Sequence, residues 1–272
     1  AKYTLFSEGT RGSLSKFLTK NFKLSENSDY QKYAIGLKEL WEINEENFVD
    51  GLVEHSMGWP LSDETNGGSF LYHFDKNLVS IGYVIHLNYT NPYVSPFDEF
   101  QQFKTHPSVK KVLKGGKRIS YGARAITTGG YQSVPKLYFP GGALIGCSAG
   151  FLNYPKIKGT HNAMESGILA AEAIIDNYNS NDQASDLKNY QEKYENSRIA
   201  KELKRVRNVK PYQARYGVLL GTLFSGLDMW LSTFGITMPF TLAHNKPDHK
   251  TLRKASECNE IEYPKADGEF SF

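Results

Sequence analysis

Cysteine is scarce in this 272-residue chain. Only two occur, Cys147 and Cys258, too few for a disulfide framework or for a site built on four thiolates, and the low count suits a reducing or matrix-type compartment. Charge of one sign is also lacking in excess. Thirty-two Lys and Arg against 29 Asp and Glu leave a formal +3, which argues against a nucleic-acid partner. No internal repeat and no low-complexity linker interrupts the sequence. The start, Ala1-Lys-Tyr-Thr-Leu-Phe, has neither a basic n-region nor an apolar h-region, so it reads as a strand rather than a signal peptide. Opening in mid-sheet is what a mature product, a fragment or one half of a split protein would do.

What is present is enough for a folded core. Hydrophobic residues make up 40% and charged residues 22%, ordinary proportions for one or two globular domains. Residues 3–9 read as a short strand ending at a glycine. Leu14, Phe17, Leu18 and Phe22 fall at helical spacing. From about 33 to 89 the pattern turns to strands, around Leu40, Trp41 and Ile43, over 70–74, and over 78–87. Turn signals at Asn66-Gly-Gly68 and Asp75-Lys-Asn77 separate them. Short helices are predicted over 97–104 and 108–113, and a strand over 137–145. The strongest helix prediction covers 160–178, with Met164, Ile168, Ala171, Ile174 and Ile175 on one face and a capping-box pattern, Asn162-x-x-Glu165, near its start. Residues 186–207 predict a long charged helix or two. The expected fold class is α/β (α+β) with a strand-rich insertion.

The richest run is Gly146-Cys-Ser-Ala-Gly-Phe-Leu-Asn-Tyr-Pro-Lys-Ile-Lys-Gly-Thr-His-Asn-Ala-Met-Glu-Ser-Gly167. A strand ends in a Gly-rich turn, a polar loop follows, and a helix opens at residues 160–162. Unpaired N–H groups and the macrodipole at such a helix start suit something electron-rich, whether a bound anion or the pyrimidine edge of a flavin.

This run resembles a known family, together with Gly36-Leu-Lys-Glu-Leu-Trp41, Gly58-Trp-Pro60, Gly67-Gly-Ser-Phe-Leu-Tyr-His73, Asn91-Pro-Tyr93, Gly115-Gly-Lys-Arg118, Tyr121-Gly-Ala-Arg124 and Ile261-Glu-Tyr-Pro264. The family is electron transfer flavoprotein–ubiquinone oxidoreductase. Motifs in the same order nearly end to end make the resemblance specific. It implies a flavoprotein on the matrix side of the mitochondrial inner membrane. That enzyme carries FAD and a 4Fe-4S cluster and passes electrons from reduced electron transfer flavoprotein to ubiquinone. The chain departs from the pattern at both ends. It lacks the Gly-x-Gly-x-x-Gly turn that holds the FAD pyrophosphate, and its two cysteines cannot ligate the cluster. It therefore resembles the family's central portion, and a second chain could carry the remainder. The resemblance divides it into part of an FAD-binding domain (1–30), a quinone-binding domain (31–124), the isoalloxazine side of the FAD-binding domain (125–185) and a C-terminal helical and membrane-surface extension (186–272).

Site residues follow from the resemblance, each beside a plainer reading. Glu8 and Gly9 are expected near the FAD pyrophosphate and ribityl chain; by pattern alone they form a strand-to-helix turn. Gly146 lets backbone approach the ring closely, Asn153 would donate its amide to a flavin carbonyl, and Thr160 would offer a hydroxyl. By spacing alone Asn153 and Thr160 are turn and cap residues. Gly67 and Gly68 would seat the quinone head against backbone, and their plain reading is a hairpin turn. Cys147 is expected to be a small buried residue, and His161 a polar helix-start residue rather than a base. Lys156 and Lys158 could steer an acidic redox partner or simply be solvated. No nucleophile, triad or metal site is expected, because flavin and quinone carry the chemistry.

Residues 217–242 form the longest apolar run, with Asp228 as the only charge. Lys201, Lys204, Arg205, Arg207, Lys210 and Arg215 precede it or lie at its border. Glycines, hydroxyls and Pro239 weaken a spanning helix. The combination favours a monotopic membrane-surface segment, with Leu223, Phe224, Trp230 and Phe234 as contacts, over a buried interface. Two other functions fit less of the sequence. One is a cofactor-poor structural or assembly subunit of a mitochondrial membrane complex; the other is the related quinone-reducing flavoprotein of nitrogen fixation.

Overall fold

A computed structural model describes residues 1–180 and 186–272. The last five residues of the expected 125–185 stretch lie outside that description. Along the chain the elements are β1 Thr4–Phe6, α1 Ser13–Asn21, β2 Tyr33–Glu42, β3 Val53–Met57, β4 Gly67–Phe74, β5 Leu78–His86, α2 Pro96–Lys104, α3 Pro107–Leu113, β6 Lys117–Thr127, β7 Tyr138–Phe139, β8 Gly142–Leu144, α4 Thr160–Asn179, α5 Lys188–Asn196, α6 Arg198–Arg205 and α7 Val209–Thr233. They group into two compact units, Ala1–Tyr33 with Ile126–Pro247, and Ala34–Ala125 with Asp248–Phe272. The class is α/β.

The first unit holds a three-stranded sheet in the order β1-β8-β7. Strands β1 and β8 run parallel, with Thr4 opposite Gly142 and Phe6 opposite Leu144. The stretch 137–145, read above as one strand, is a hairpin. Pro140 cannot donate to a ladder, and Gly141 takes φ 79°, so the chain reverses between β7 and β8. Leu137, Phe139, Leu144, Phe151, Tyr190, Tyr194, Ile199 and Leu203 are buried together over this sheet.

Helix α4 forms where periodicity placed it, but rotated. Its buried positions are Asn162, Ser166, Ala170, Ala173 and Asn177. Met164, Ile168, Ile175 and Tyr178 are 56–72% exposed. Three of the five buried residues are polar, so apolar content alone does not choose the face. Close packing on the 146–148 turn and on α5 selects the one with small side chains. The capping box does not form. Gly159 is the N-cap, Asn162 donates to the Phe151 carbonyl at 2.9 Å, and Glu165 pairs with Arg198 at 2.9 Å. Helix α1 shows the same inversion, burying Ser15 while Leu14 and Phe17 stay exposed.

The second unit is an antiparallel five-stranded sheet in the order β3-β4-β5-β2-β6. Side-chain alternation puts Leu71, Val79, Ile81, Tyr83, Ile85 and Trp41 on the face that packs with Phe100, Phe103, Val109 and Leu113 of α2 and α3. Ser95 caps α2 by accepting from Asp98 N, with Pro96 at the first turn. Residues 248–272 pack within this unit. Tyr263 donates to Glu99 at 2.8 Å, Asp267 accepts from the backbone N–H of Glu269, Phe270 and Ser271, and Phe270 joins the core. Those backbone hydrogen bonds, led by Ser271, hold the Asp267 carboxyl well below the usual carboxylate range.

Inside this core lies an ion cluster. The Lys104 ammonium sits 2.9 Å from both Glu39 oxygens. Arg118 reaches Glu39 at 3.1 Å and the Trp41 indole donates to it at 2.8 Å. Burial pushes the Lys104 pKa down against the pull of Glu39. We expect Glu39→Gln to destabilise the protein by about 3–5 kcal/mol, because it strands a buried ammonium. A urea unfolding series measures this. Loss below about 1 kcal/mol would mean that water reaches Lys104.

Candidate functional site

Parallel pairing of β1 with β8 places their carboxyl ends side by side, where ligands bind in open α/β sheets. The turn after β1 carries Glu8 and Gly9, the latter at φ 81°. The turn after β8 carries Gly146, at φ 59°, then Cys147 and Ser148. The two turns, 139 residues apart, touch: the Ser148 hydroxyl donates to the Gly9 carbonyl at 3.2 Å. Beside them opens a pocket of about 470 Å³, lined among others by Gly9, Gly12, Ser148, Thr127, Lys16 and Lys20. The Thr127 side chain is 3% exposed, and its hydroxyl has no hydrogen-bond partner among the described residues. A buried orphan hydroxyl at a pocket wall is a place for a ligand or ordered water to bond. Sequence reading missed Thr127, Ser148 and the pocket lysines. Lys16 and Lys20 fall four residues apart along α1, and that was the available signal.

The expected flavin-side residues have these settings. The Glu8 carboxylate accepts from Ser15 N at 2.6 Å, Ser15 Oγ at 2.7 Å and Leu14 N at 3.4 Å. It therefore caps the first turn of α1, where no N-cap side chain does so. The Ser15 hydroxyl and amide hold its pKa below the usual carboxylate value. Gly146 is buried and donates its N–H to Ser166 Oγ at 2.9 Å. A Cβ there would stand 3.3 Å from that of Ala163, so glycine serves both the positive φ and the approach to α4. Thr160 opens α4 and is exposed.

Asn153 is fully buried, and its amide points at protein. Nδ2 donates to Glu202 at 2.7 Å, and Oδ1 accepts from Lys156 N at 3.2 Å. Glu202 also contacts His161 Nε2 at 3.1 Å and Lys156 at 3.5 Å. Burial pushes the Glu202 pKa up, but the bonds from Asn153 and His161 and the Lys156 charge outweigh it and hold the carboxyl low. The 146–160 loop is thus pinned to α6 through one carboxylate. No local pattern in the sequence marks Glu202.

Gly67 and Gly68 are not a hairpin turn. They begin β4, opposite Ile85 and Val84. The reversal after β4 is made by Asp75-Lys-Asn77, with Asp75 and Asn77 at φ 52° and 57°. Adjacent strand residues face opposite sides. A side chain at Gly67 would run into Leu61 and stand 2.5 Å from the Val84 carbonyl; one at Gly68 would stand 2.5 Å from the Ser56 carbonyl. Gly68 lies in a cross-strand row with Met57, Val84 and Gly36, on the sheet face away from α2 and α3.

The apolar run is a helical hairpin. Gly217 breaks α7 with φ 76° and ψ −178°. The arms fold together: Tyr212 and Tyr216 meet Phe224 with ring centroids 6.0 and 5.2 Å apart, Asn208 bonds Asp228 at 3.3 Å, and Arg205 bonds Ser232 at 2.8 Å. Gly221 allows this, since a Cβ there would stand 2.5 Å from Gln213 Cα. Asp228 is buried, while Leu223, Phe224, Trp230 and Phe234 are exposed, Leu223 by 66%. No helix among the described residues is long and apolar enough to cross a membrane.

Comparison with known proteins adds to this geometry. Residues 33–126 match a family model described as ETF-QO, ubiquinone-binding. All of the chain aligns at 51% identity with 45% of the mitochondrial electron transfer flavoprotein–ubiquinone oxidoreductase of Homo sapiens, and at 50% identity with 49% of the enzyme of that name from Pseudomonas aeruginosa.

The chain resembles electron transfer flavoprotein–ubiquinone oxidoreductase from end to end.

It spans about half the length of these curated relatives. Two solved structures share the fold at 18% identity. One is a geranylgeranyl bacteriochlorophyll reductase-like protein from Thermoplasma acidophilum (TM-score 0.63, 84% of this chain and 53% of that one). The other is a flavin-dependent brominase variant (0.54, 86% and 56%).

The Glu8 cap is pH-sensitive with a defined sign. Its folded pKa is depressed, so the cap is complete above the ordinary carboxylate pKa of about 4.3 and is lost as pH falls through the lower folded value. Glu8→Ala is expected to speed amide hydrogen exchange at Leu14 and Ser15 at neutral pH. Unchanged exchange would remove Glu8 from the capping role.

Proposed function

We propose that this chain forms the flavin- and quinone-binding part of an electron-transferring-flavoprotein dehydrogenase. It would carry electrons from reduced electron transfer flavoprotein through FAD to ubiquinone. The observation that carries this is the contact of the Gly9 and Ser148 turns at the carboxyl ends of two parallel strands, in a chain that resembles this enzyme throughout. FAD, when bound, supplies the electron-transfer chemistry. The chain's own residues do the positioning. Gly9 and Gly146 let backbone approach a planar ring or phosphate closely. The Thr127 hydroxyl supplies an unused hydrogen bond, and Lys16 and Lys20 supply positive charge for phosphate. The start of α4 beside Thr160 favours negative charge on the ring. Asn153 contributes by fixing the loop to Glu202. Gly68 offers bare backbone to a quinone head, and Gly67 beside it keeps the strand packed on Leu61.

The α7 hairpin supports a monotopic seat on the matrix side of the mitochondrial inner membrane. Its longer arm, 218–233, is about 24 Å at 1.5 Å per residue, short of the about 30 Å hydrocarbon layer. Exposed Leu223, Trp230 and Phe234 would enter the interface, with Arg205, Arg207 and Arg215 nearby for anionic headgroups. Lys156, exposed on the flavin-side loop, suits an acidic protein partner such as electron transfer flavoprotein. The bare face of α4 beside β1, which pairs only with β8 among the described strands, suits further polypeptide carrying another strand and helix. An iron–sulfur cluster would need thiolates from such sequence.

The deciding experiment is the visible spectrum and metal content of the natively purified protein, with every co-purifying chain identified. Flavin bands that bleach on reduction and recover with a ubiquinone analogue are expected. A colourless protein held only with structural partners would replace this reading with the assembly-subunit one. For the membrane seat, Leu223→Asp with Trp230→Asp is expected to weaken binding to anionic vesicles by tenfold or more. Burying one such side chain contributes roughly 1.5–3 kcal/mol, and about 1.4 kcal/mol is tenfold. Undiminished vesicle binding would place the contact elsewhere.

A further inference from the structure

Ubiquinone becomes ubiquinol by taking up two protons as well as two electrons, and no residue discussed so far supplies a proton. The register of the second unit's sheet offers one. Pairing sets Val53 opposite Tyr72, His55 opposite Phe70 and Met57 opposite Gly68. Alternation puts all six side-chain positions on one face. On that face Tyr72 Oη and His55 Nε2 are 3.2 Å apart, and their rings meet edge-on with centroids 5.5 Å apart. Phe70 lies between Gly68 and Tyr72 along β4, its ring 5.0 Å from that of Tyr72, and it covers Gly82 of the next strand. His55 is the diagonal neighbour of Gly68, about 7–8 Å away between Cα positions.

We propose that His55, held by Tyr72, donates a proton to a quinone seated on Gly68. This rests on the quinone seat proposed above. The two carbonyl oxygens of a benzoquinone stand on opposite sides of its ring. With one at the Gly68 backbone, the ring lies over a face made of Phe70, Met57 and Val84, within reach of His55. Tyr72 occupies Nε2, which leaves Nδ1 for the ligand. FAD, when bound and reduced, would supply the two electrons. The Nδ1–H bond of the His55 imidazolium breaks, leaving neutral imidazole, and an O–H bond forms on one carbonyl oxygen. Water delivers the second proton to the other oxygen and then reprotonates His55. Few charges face this imidazole. β4 presents Tyr72, β5 presents Ser80, Gly82 and Val84, and β2 presents Lys38 and Glu42 further across the sheet. Glu54 and Ser56 point to the opposite face. The imidazole is exposed on the edge strand, so solvent can recharge it, and substitution there leaves the core intact.

The test uses the natively purified protein with its co-purifying chains and a short-chain ubiquinone analogue. Two readouts are taken. One is the infrared carbonyl stretch of the bound, oxidised analogue, which needs no turnover. The other is steady-state quinone reduction across pH 6–9. His55→Gln is expected to raise the carbonyl stretching frequency. It should lower kcat by about tenfold to a hundredfold, flatten its pH profile and leave KM within about twofold. Added imidazole should restore part of the rate in His55→Ala, and Tyr72→Phe should shift the pH profile with a smaller loss. Gly68→Val should abolish analogue binding. If Gly68→Val abolishes binding while His55→Gln changes neither the band nor kcat, the proton-donor role is wrong and the seat stands. If Gly68→Val binds the analogue as before with an unchanged band, the seat itself is wrong and the role of His55 falls with it.

Discussion

The pairing of β1 with β8 is the constraint on which the rest of the first unit depends. Three residues, Thr4–Phe6, register against Gly142–Leu144 across more than a hundred intervening positions. Because the strands are parallel, both chains leave the sheet at the same end, and both must turn there without blocking each other. Glycines at positive φ make that turn twice, at Gly9 and Gly146, and the Ser148 hydroxyl closes the gap between them. Helix α1 then starts beside the pocket, whose wall also takes Ser148 of the second turn, and α4 follows at the far end of the 146–160 loop. Their first N–H groups meet different partners: Glu8 caps α1, while α4 has no side-chain cap. The pairing thus leaves one helix start satisfied by protein and the other open at its first turn.

The fold was legible wherever a single physical signal dominated. Strands β4 and β5, the capped helices α2 and α3, and the extent of α4 all appear in periodicity and stop signals. What periodicity could not resolve was orientation. In α4, Met164, Ile168 and Ile175 make the stronger apolar stripe, yet Ser166, Ala170 and Ala173 are buried. A pattern of hydrophobicity reports what could be buried. Which face is buried depends on how closely the neighbours approach, and small residues allow the closest approach. The same ambiguity affects α1, which buries Ser15 and leaves Leu14 and Phe17 exposed. In both helices the larger apolar side chains are left on the exposed face.

The candidate site was legible as segments rather than as contacts. The turns at Gly9 and Gly146 can be read from glycine placement beside a strand. That Asn153 meets Glu202, or that Thr127 is left without a partner, cannot, because both depend on residues brought together from distant parts of the chain. Glu202 illustrates the cost of local reading. It sits in a charged helix that looks solvated, yet it gathers Asn153, His161 and Lys156 at distances of 2.7–3.5 Å. A carboxylate with three donors anchors a loop more firmly than any turn preference does. The amide expected to meet a ligand therefore acts one step behind the surface.

The glycine pair at 67–68 shows how strand geometry divides one motif into two jobs. In a turn, both glycines would be chosen for φ, and either could touch a ligand. In a strand, period two sends their hydrogens to opposite faces. Gly67 is required by the core, where Leu61 and the Val84 carbonyl leave no volume for Cβ. Gly68 is required by the outer face, where Ser56 closes in from the edge strand. A substitution at Gly67 would thus disturb packing before it disturbed any ligand, while one at Gly68 would also place bulk in the row shared with Gly36 and Val84. The two positions look equivalent in sequence and are distinguishable only once register is known. That same register sets His55 and Tyr72 on the face that Gly68 leaves bare, so the placement of one glycine determines which titratable groups a ligand on that face can reach.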